Sequence, residues 1–452
     1  MKIALPHGID KDKPLPQGSY QILFLLTNLL NKMKMNFKHV SMIACAALMA
    51  GFSSCSNDDD AAVNGGLMTS GEPTRAVISL TQATTTRVAA GATDSEKALK
   101  NATLYIFNAS EQLVKAVPFA DPTATETVDL TTGSHYFYAA VNKTGLPTIA
   151  AGTSMSDVEK TVLSISSLDD ITNATNGFFM TNATKPIAQN IVKSTDGADN
   201  KINIQVGRAV AKIDFILDAN ATQPTYGELS GISYKIGGNQ NKMHFFPIME
   251  GGNLLTPYYN KAYDAANYLT PTTYTASGTG AYAMENSNDG TTTPLVQGKV
   301  TYAYIKGVFA PKAVLNADGT DGSASTDGTF YRLYDETAKA FTAGFYNAEP
   351  SVVPADHKVA KYDKGECYYG FWMNPTGKYT INRNNLYNVT LKFVNEIGTN
   401  SEAGDVDENG DPLDPTNPNP PIKPTDPIEE ETKLQATIEV LDWNPVEQNG
   451  GI

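Results

Sequence analysis

The chain has 452 residues, with 34 Lys and Arg against 48 Asp and Glu for a formal charge of −14. Residues 1–54 hold six Lys and two Asp, so the part from Cys55 onward carries −18, which argues against nucleic acid or an anionic membrane surface as a partner. The three cysteines are Cys45, Cys55 and Cys367; with the first two in or beside an apolar leader, no intrachain disulfide framework is available and stability must come from packing.

Residues 1–20 are polar and contain proline, unlike the start of an export signal, and Met33 or Met35 is the better initiator. From there Lys34 and Lys38 form a basic segment, residues 40–51 a short apolar one, and Phe52, Ser53, Ser54 and Cys55 its end. About a dozen apolar residues are too few to span a bilayer as a helix. The combination resembles a bacterial lipoprotein signal with Cys55 as the lipidated residue, Phe52 standing where leucine is usual. An ordinary secretory signal is the alternative. The acidic run 56–60 resembles a surface-export tag and equally fits a solvated tether.

With Tyr 22 and Phe 17 far outnumbering Trp 2, and abundant Thr, Asn and Gly, the composition points to a mainly β protein. Strands are expected at 75–80, 102–108, 135–142, 202–206, 208–217, 229–236, 300–306, 367–373 and 386–394, ending in turn-forming residues. In the 208–217 run the odd positions Ala209, Ala211, Ile213, Phe215 and Leu217 are expected to face a core. Ser156 to Glu159 fits a capping box that opens one helix of about ten residues. The polar stretch 218–225 is read as a domain boundary, giving units 88–219 and 220–400.

After Gly398 the composition changes: 401–414 is acidic and 415–427 has proline at every second or third place. Such a segment is semi-rigid at about 3.1 Å per residue, so its thirteen residues span roughly 40 Å, and 401–432 reads as a tether. In the strand that follows, Leu434, Ala436, Ile438 and Val440 alternate with Gln435, Thr437 and Glu439, the period-2 pattern of one buried face. Leu441 and Trp443 extend the apolar set. A strand held off by a tether must dock somewhere to satisfy its backbone, and another molecule is the expected place.

Catalytic signals are weak. His135, His244 and His357 sit in no nucleophile or metal motif, and Cys367, in an apolar aromatic strand, reads as an inert buried thiol. Asp405, Asp407 and Asn409 with Gly410 fit the first half of a calcium loop, but Thr416 stands where a bidentate Glu is needed and Pro412 intrudes, so a solvated acidic linker is the stronger reading. No cofactor and no metal is expected. The Asn-X-Thr triplets at Asn101, Asn173, Asn182 and Asn388 read as turn and strand-edge residues.

Several stretches in order resemble the major fimbrillins of the type V pili of Bacteroidales, most closely, in the C-terminal third, the minor-fimbria shaft subunit. They are the signal at Cys55; Thr86, Arg87 and Val88 ahead of 102–108; 137–145 (FYAAVNKTG); 208–215; 368–375 (YYGFWMNP); 381–387 (INRNNLY); the Asp- and Pro-rich tether; and 437–443 (TIEVLDW). The resemblance implies two tandem transthyretin-like β-sandwich domains, with one short helix in the first, and a C-terminal donor strand in 433–452. It implies export as an outer-membrane lipoprotein, with 1–54 a leader and 55–87 a propeptide. An Arg-specific surface protease would cut Arg87–Val88, removing a first strand at about 75–80; Arg75 is the other Arg site, but cutting there would leave the strand in place. The vacated groove would accept Leu434, Ala436, Ile438, Val440, Leu441 and Trp443 of a neighbouring copy.

The expected function is therefore a non-enzymatic shaft subunit of a surface fimbria that polymerises head to tail with itself and related fimbrillins and supports adhesion. An anchor or tip subunit, and a non-polymerising glycan-binding surface lipoprotein with an exposed aromatic platform, are the alternatives.

Overall fold

Apolar residues at every second position, punctuated by Gly, Asn and Asp, produce strands throughout. The computed structural model describes residues 71–83, 92–119, 121–183, 185–251, 253–288, 294–416, 419–428 and 433–443, all within one compact unit, Gly66–Ile452. The strands of the three principal sheets are β1 (Pro73–Gln82), β2 (Ala102–Phe107), β3 (Leu113–Phe119), β4 (Thr125–Thr131), β5 (Gly133–Val141), β6 (Met180–Asn182), β7 (Ile187–Ile191), β8 (Lys201–Arg208), β9 (Val210–Thr222), β10 (Gly227–Gly237), β11 (Thr275–Ala276), β12 (Ala281–Met284), β13 (Tyr302–Pro311), β14 (Glu366–Trp372), β15 (Asn385–Val394) and β16 (Leu434–Asp442). The fold is mainly β, as the composition implies.

The first sheet runs β3-β2-β5-β6-β8-β1-β4, with β7 also paired to β5. Its core includes Ile78 and Leu80 of β1, Leu104 and Ile106 of β2, Phe137 of β5 and Ile204 of β8. Two four-stranded sheets, β12-β9-β15-β16 and β11-β10-β13-β14, share a second core containing Ile213 and Phe215 of β9, Tyr234 of β10, Ile305 of β13, Tyr369 of β14 and Val389 of β15.

The odd positions of β9 do face this core: Ala211, Ile213 and Phe215 are fully buried. Val210 is equally buried but belongs to the first core, because the chain passes from β8 to β9 through Ala209 alone. The junction between the two cores thus lies at Ala209. The boundary expected at 218–225 is not there: β9 continues to Thr222, and its polar residues are the solvent-facing end of a strand. Nor is 220–400 a separate block. Lys242–His244 pairs with Val162–Ser164, and Phe245 and Phe246 pack into the first core, with Phe246 stacked on Tyr138 at 4.1 Å between centroids.

Among the described residues three short α-helices stand where one of about ten residues is expected: α1 (Asp94–Lys97), α2 (Met155–Lys160) and α3 (Asp169–Thr172). The α2 N-cap is Ser154, whose hydroxyl accepts from the Asp157 N–H at 3.1 Å, rather than Ser156. The helix stops at Lys160 because the next residues, Val162–Ser164, are taken by pairing with Lys242–His244.

The tether is also packed where it is described. Leu413 is 1 % exposed and Ile422 2 %, and the Glu402 carboxylate is 2.8 Å from the Lys235 ammonium. Single apolar residues spaced among the prolines give it a buried side.

Candidate functional site

Two strands at opposite ends of the chain hold the residues singled out by sequence. β1 lies inside the first sheet, parallel to β8 (Val77 opposite Lys201, Gln82 opposite Val206) and antiparallel to β4 (Pro73 opposite Thr131, Ser79 opposite Thr125). Thr74, Ala76, Ile78 and Leu80 are buried, and the residues between them are exposed or half-buried. Within the strand, the Arg75 N–H donates to Ser194 O at 3.1 Å while its carbonyl accepts from Asn200 Nδ2 at 2.7 Å. The Arg75–Ala76 bond is therefore held in the sheet. The ion pair of Arg75 with Asp129, 2.9 Å long, is largely exposed and worth about 0–1 kcal/mol. Cys55, Arg87 and Val88 lie outside the described residues.

The C-terminal strand β16 is docked on its own chain. It pairs antiparallel with β15, Leu434 opposite Val394, Ile438 opposite Val389 and Leu441 opposite Leu386, and forms the outer edge of its sheet. Leu434 is buried in the second core, with Ala436 and Ile438 packed against it. Val440, expected on the buried face, is 39 % exposed, because at this edge no further strand covers it. Leu441 and Trp443 turn instead to the first core. The strand thus reaches both cores of its own chain.

Sequence reasoning missed the polar node around Trp443. The Trp443 ring is fully buried, 4.5 Å from the Arg208 guanidinium carbon and stacked 5.7 Å from Tyr282; the main-chain N–H of Trp443 donates to Asn384 O at 3.0 Å. Arg208 Nη1 donates to the Trp443 carbonyl, and Nε to the Glu96 carbonyl at 2.8 Å. Burial pushes the guanidinium down to about 10. Glu96, fully buried on α1, accepts from Lys212 Nζ at 3.0 Å, Tyr282 OH at 2.7 Å and Thr93 N–H at 2.6 Å. Burial alone would raise this carboxyl, but those donors outweigh it and hold it below its ordinary range. The end of β1 joins the node, since Gln82 Nε2 donates to the Lys97 carbonyl. The available signal was charge in apolar context: Arg208 and Lys212 flank the Ala-Val-Ala run of residues 209–211.

The calcium-loop residues do not converge. Asp405 Oδ1 accepts from Asn400 N–H at 3.3 Å, whereas Asp407 Oδ1 caps its own turn through the Asn409 and Asp411 N–H groups at 2.9 and 3.0 Å. Among the described residues, only Asp335, Asp356 and His357 form a group of three metal-capable side chains, and it is a partly exposed one. Cys367 is fully buried and burial pushes its thiol up to about 12, the state of an inert core residue. Both tryptophans are covered, Trp372 at 8 % exposure and Trp443 at 0 %, so neither offers an aromatic platform. No helix among the described residues is long and apolar enough to cross a membrane.

Stacked sheets around two apolar cores, with an internal first strand and an edge-docked last strand, make this a mainly β protein. Residues 360–449 match the family described as major fimbrial subunit protein type IV, fimbrillin, C-terminal, so in that part the chain is fimbrillin-like. No curated protein matches it. Among solved structures it is similar to a fimbrillin of Porphyromonas gingivalis, at 18 % identity and a TM-score of 0.48 over 83 % of this chain and 99 % of that one. It is also similar to a candidate cell adhesion protein of Parabacteroides distasonis, at 13 % and 0.44 over 84 % and 99 %, and to the C-terminally truncated tip fimbrial protein of Porphyromonas gingivalis, at 14 % and 0.37 over 82 % and 100 %.

Proposed function

We propose that the chain is the shaft subunit of a surface fimbria, exported as an outer-membrane lipoprotein on Cys55 and cut at Arg87–Val88 by an Arg-specific surface protease. It then polymerises when the slot left by β1 takes the C-terminal strand of another copy, and adhesion is a property of the filament. The proposal also holds that it is not an enzyme. The observation that carries this reading is the position of β1: the first strand of the described chain sits between β8 and β4, so its loss opens a slot with a hydrogen-bonding edge on both sides. β1 buries Ala76, Ile78 and Leu80, an i, i+2, i+4 apolar face, and Leu434, Ala436 and Ile438 supply the same spacing. A strand inserted there regains a full ladder and fills alternate pockets. Cleavage after Arg87 suits this better than cleavage after Arg75, whose backbone is engaged in the ladder.

The test is cysteine cross-linking of the polymer. Gln205, opposite Thr81 of β1, is exposed, so Gln205→Cys is combined in turn with Gln435→Cys, Thr437→Cys and Glu439→Cys. One pairing is expected to give intermolecular disulfides only in processed, assembled protein. Assembled filaments without a cross-link at any of the three positions would sink the exchange.

A further inference from the structure

The outer face of the β11-β10-β13-β14 sheet carries a trough in which residues 419–428 lie. Ile422 forms a small apolar cluster with Val300, Tyr302 and Trp372, and Ile428 packs against its rim. One residue reads the backbone of the segment. Gln297, 6 % exposed, donates from its main-chain N–H to Asp426 O at 2.9 Å and from Nε2 to Pro427 O at 3.1 Å, and its Oε1 accepts from the Lys423 N–H at 2.6 Å. Beside it, the Gly298 N–H donates to Pro424 O at 2.9 Å.

Two glycines shape the floor. A Cβ on Gly370 would lie 2.2 Å from Pro421 O, and one on Gly298 would lie 2.8 Å from Pro424 Cβ and 2.5 Å from the Tyr263 ring. Neither glycine has a positive φ, so backbone conformation does not require them. Gly370 stands in the middle of β14, where glycine weakens a strand unless another backbone approaches closely. The backbone that approaches is residue 421.

We propose that this trough is a receptor for a proline-rich peptide, that its occupant is the chain's own residues 419–428, and that it anchors the root of the C-terminal strand. Proline-rich segments suit such a trough because their extended form is preset and loses little entropy on docking against aromatic rings. The consequence for assembly rests on the strand-exchange reading above: the arm that leaves pivots after Ile428, not after Gly398. Residues 429–433 alone then join the anchor to Leu434, a reach of about 20 Å, so the accepting slot of the neighbour lies within that radius of Ile428.

The test is amide hydrogen exchange on the whole chain, with a synthetic peptide of residues 419–428 as the unprotected reference. The Lys423 amide is expected to exchange at least about a hundredfold more slowly in the protein than in the peptide. Gln297→Ala, Gly370→Ala and Ile422→Asp should each bring it to within about tenfold of the peptide, with the β13 amides unchanged. Ile422→Asp is on the arm, so its effect cannot be laid to a misfolded sheet. Peptide-like exchange in the unaltered protein, or protection that survives Ile422→Asp, would overturn the anchor. Assembled filaments should keep Lys423 protected; loss on assembly would place the pivot earlier and overturn the proposal. If the chain never assembles while the monomer results hold, the trough stands and the strand-exchange reading falls.

Discussion

Replacing Trp443 by Ala perturbs the largest side chain that ties the C-terminal strand to the first core. The ring is fully buried, lies 4.5 Å from the Arg208 guanidinium, and meets Phe178 edge-on at 6.0 Å. Truncating a buried Trp destabilises by about 3–5 kcal/mol, and about 2 kcal/mol of that is the desolvated cation–π contact. Against it, the indole N–H makes no hydrogen bond, so its removal relieves about 1 kcal/mol. The net expectation is a loss of about 3 kcal/mol concentrated on β16, which raises its local opening about a hundredfold, because each 1.4 kcal/mol is tenfold. Amide exchange across residues 434–442 measures this directly. Val440→Ala, at a 39 % exposed position, is the control and should change exchange less than about threefold. If Trp443→Ala stays within that same threefold, the strand is held by its ladder alone and the anchoring argument fails.

Glu96→Gln should destabilise the protein by about 3 kcal/mol, the low end for breaking a buried pair because Lys212 keeps 15 % exposure; urea unfolding at pH 7 checks it, and a loss under 1 kcal/mol would show the pair to be dispensable. Burial holds the His135 imidazole below its ordinary value, opposed by the Gly133 carbonyl, so the unfolded chain takes up the proton first. Stability from this residue is full above pH of about 6.5 and declines as pH falls below it. His135→Gln should therefore flatten the loss of stability between pH 7.5 and 5.5, and an unchanged slope would exclude the residue as its source. On the proposed maturation, Arg87→Ala should leave β1 in place and abolish polymer; normal polymer with a wild-type N-terminus by mass spectrometry would move the cut elsewhere.

The strands were legible because period-2 patterns report burial directly, and the 208–217 run oriented its own face correctly. The domain boundary was not, since the polar residues from Asp218 to Thr222 look the same in a linker and at the wet end of a strand. The tether misled for a related reason: proline content reports stiffness, while docking depends on Leu413, Ile422 and Ile428 finding an aromatic surface built elsewhere in the chain. The Trp443 node joins residues from α1, β8, β9, β12 and the C-terminal strand, and no local pattern announces such a meeting. Val440 fits the alternation and is exposed because burial at a sheet edge depends on what covers it.

The pairing of β1 with β8 has a consequence for how the chain folds. Val77 meets Lys201 across more than a hundred intervening residues, and closing such a loop is about 2 kcal/mol less favourable in entropy than closing a ten-residue one. The first sheet cannot close until β8 has been made, so the earliest strand is among the last to be seated, and non-local pairing of this kind is slow. Carrying the strand on the same chain offsets that delay by presenting it at an effective concentration in the millimolar range. A chain begun after residue 83 would have to complete the sheet by a bimolecular search. On the proposed maturation, the segment that is removed is then a folding aid, present while the sheet closes and dispensable only after the remaining strands hold one another in place.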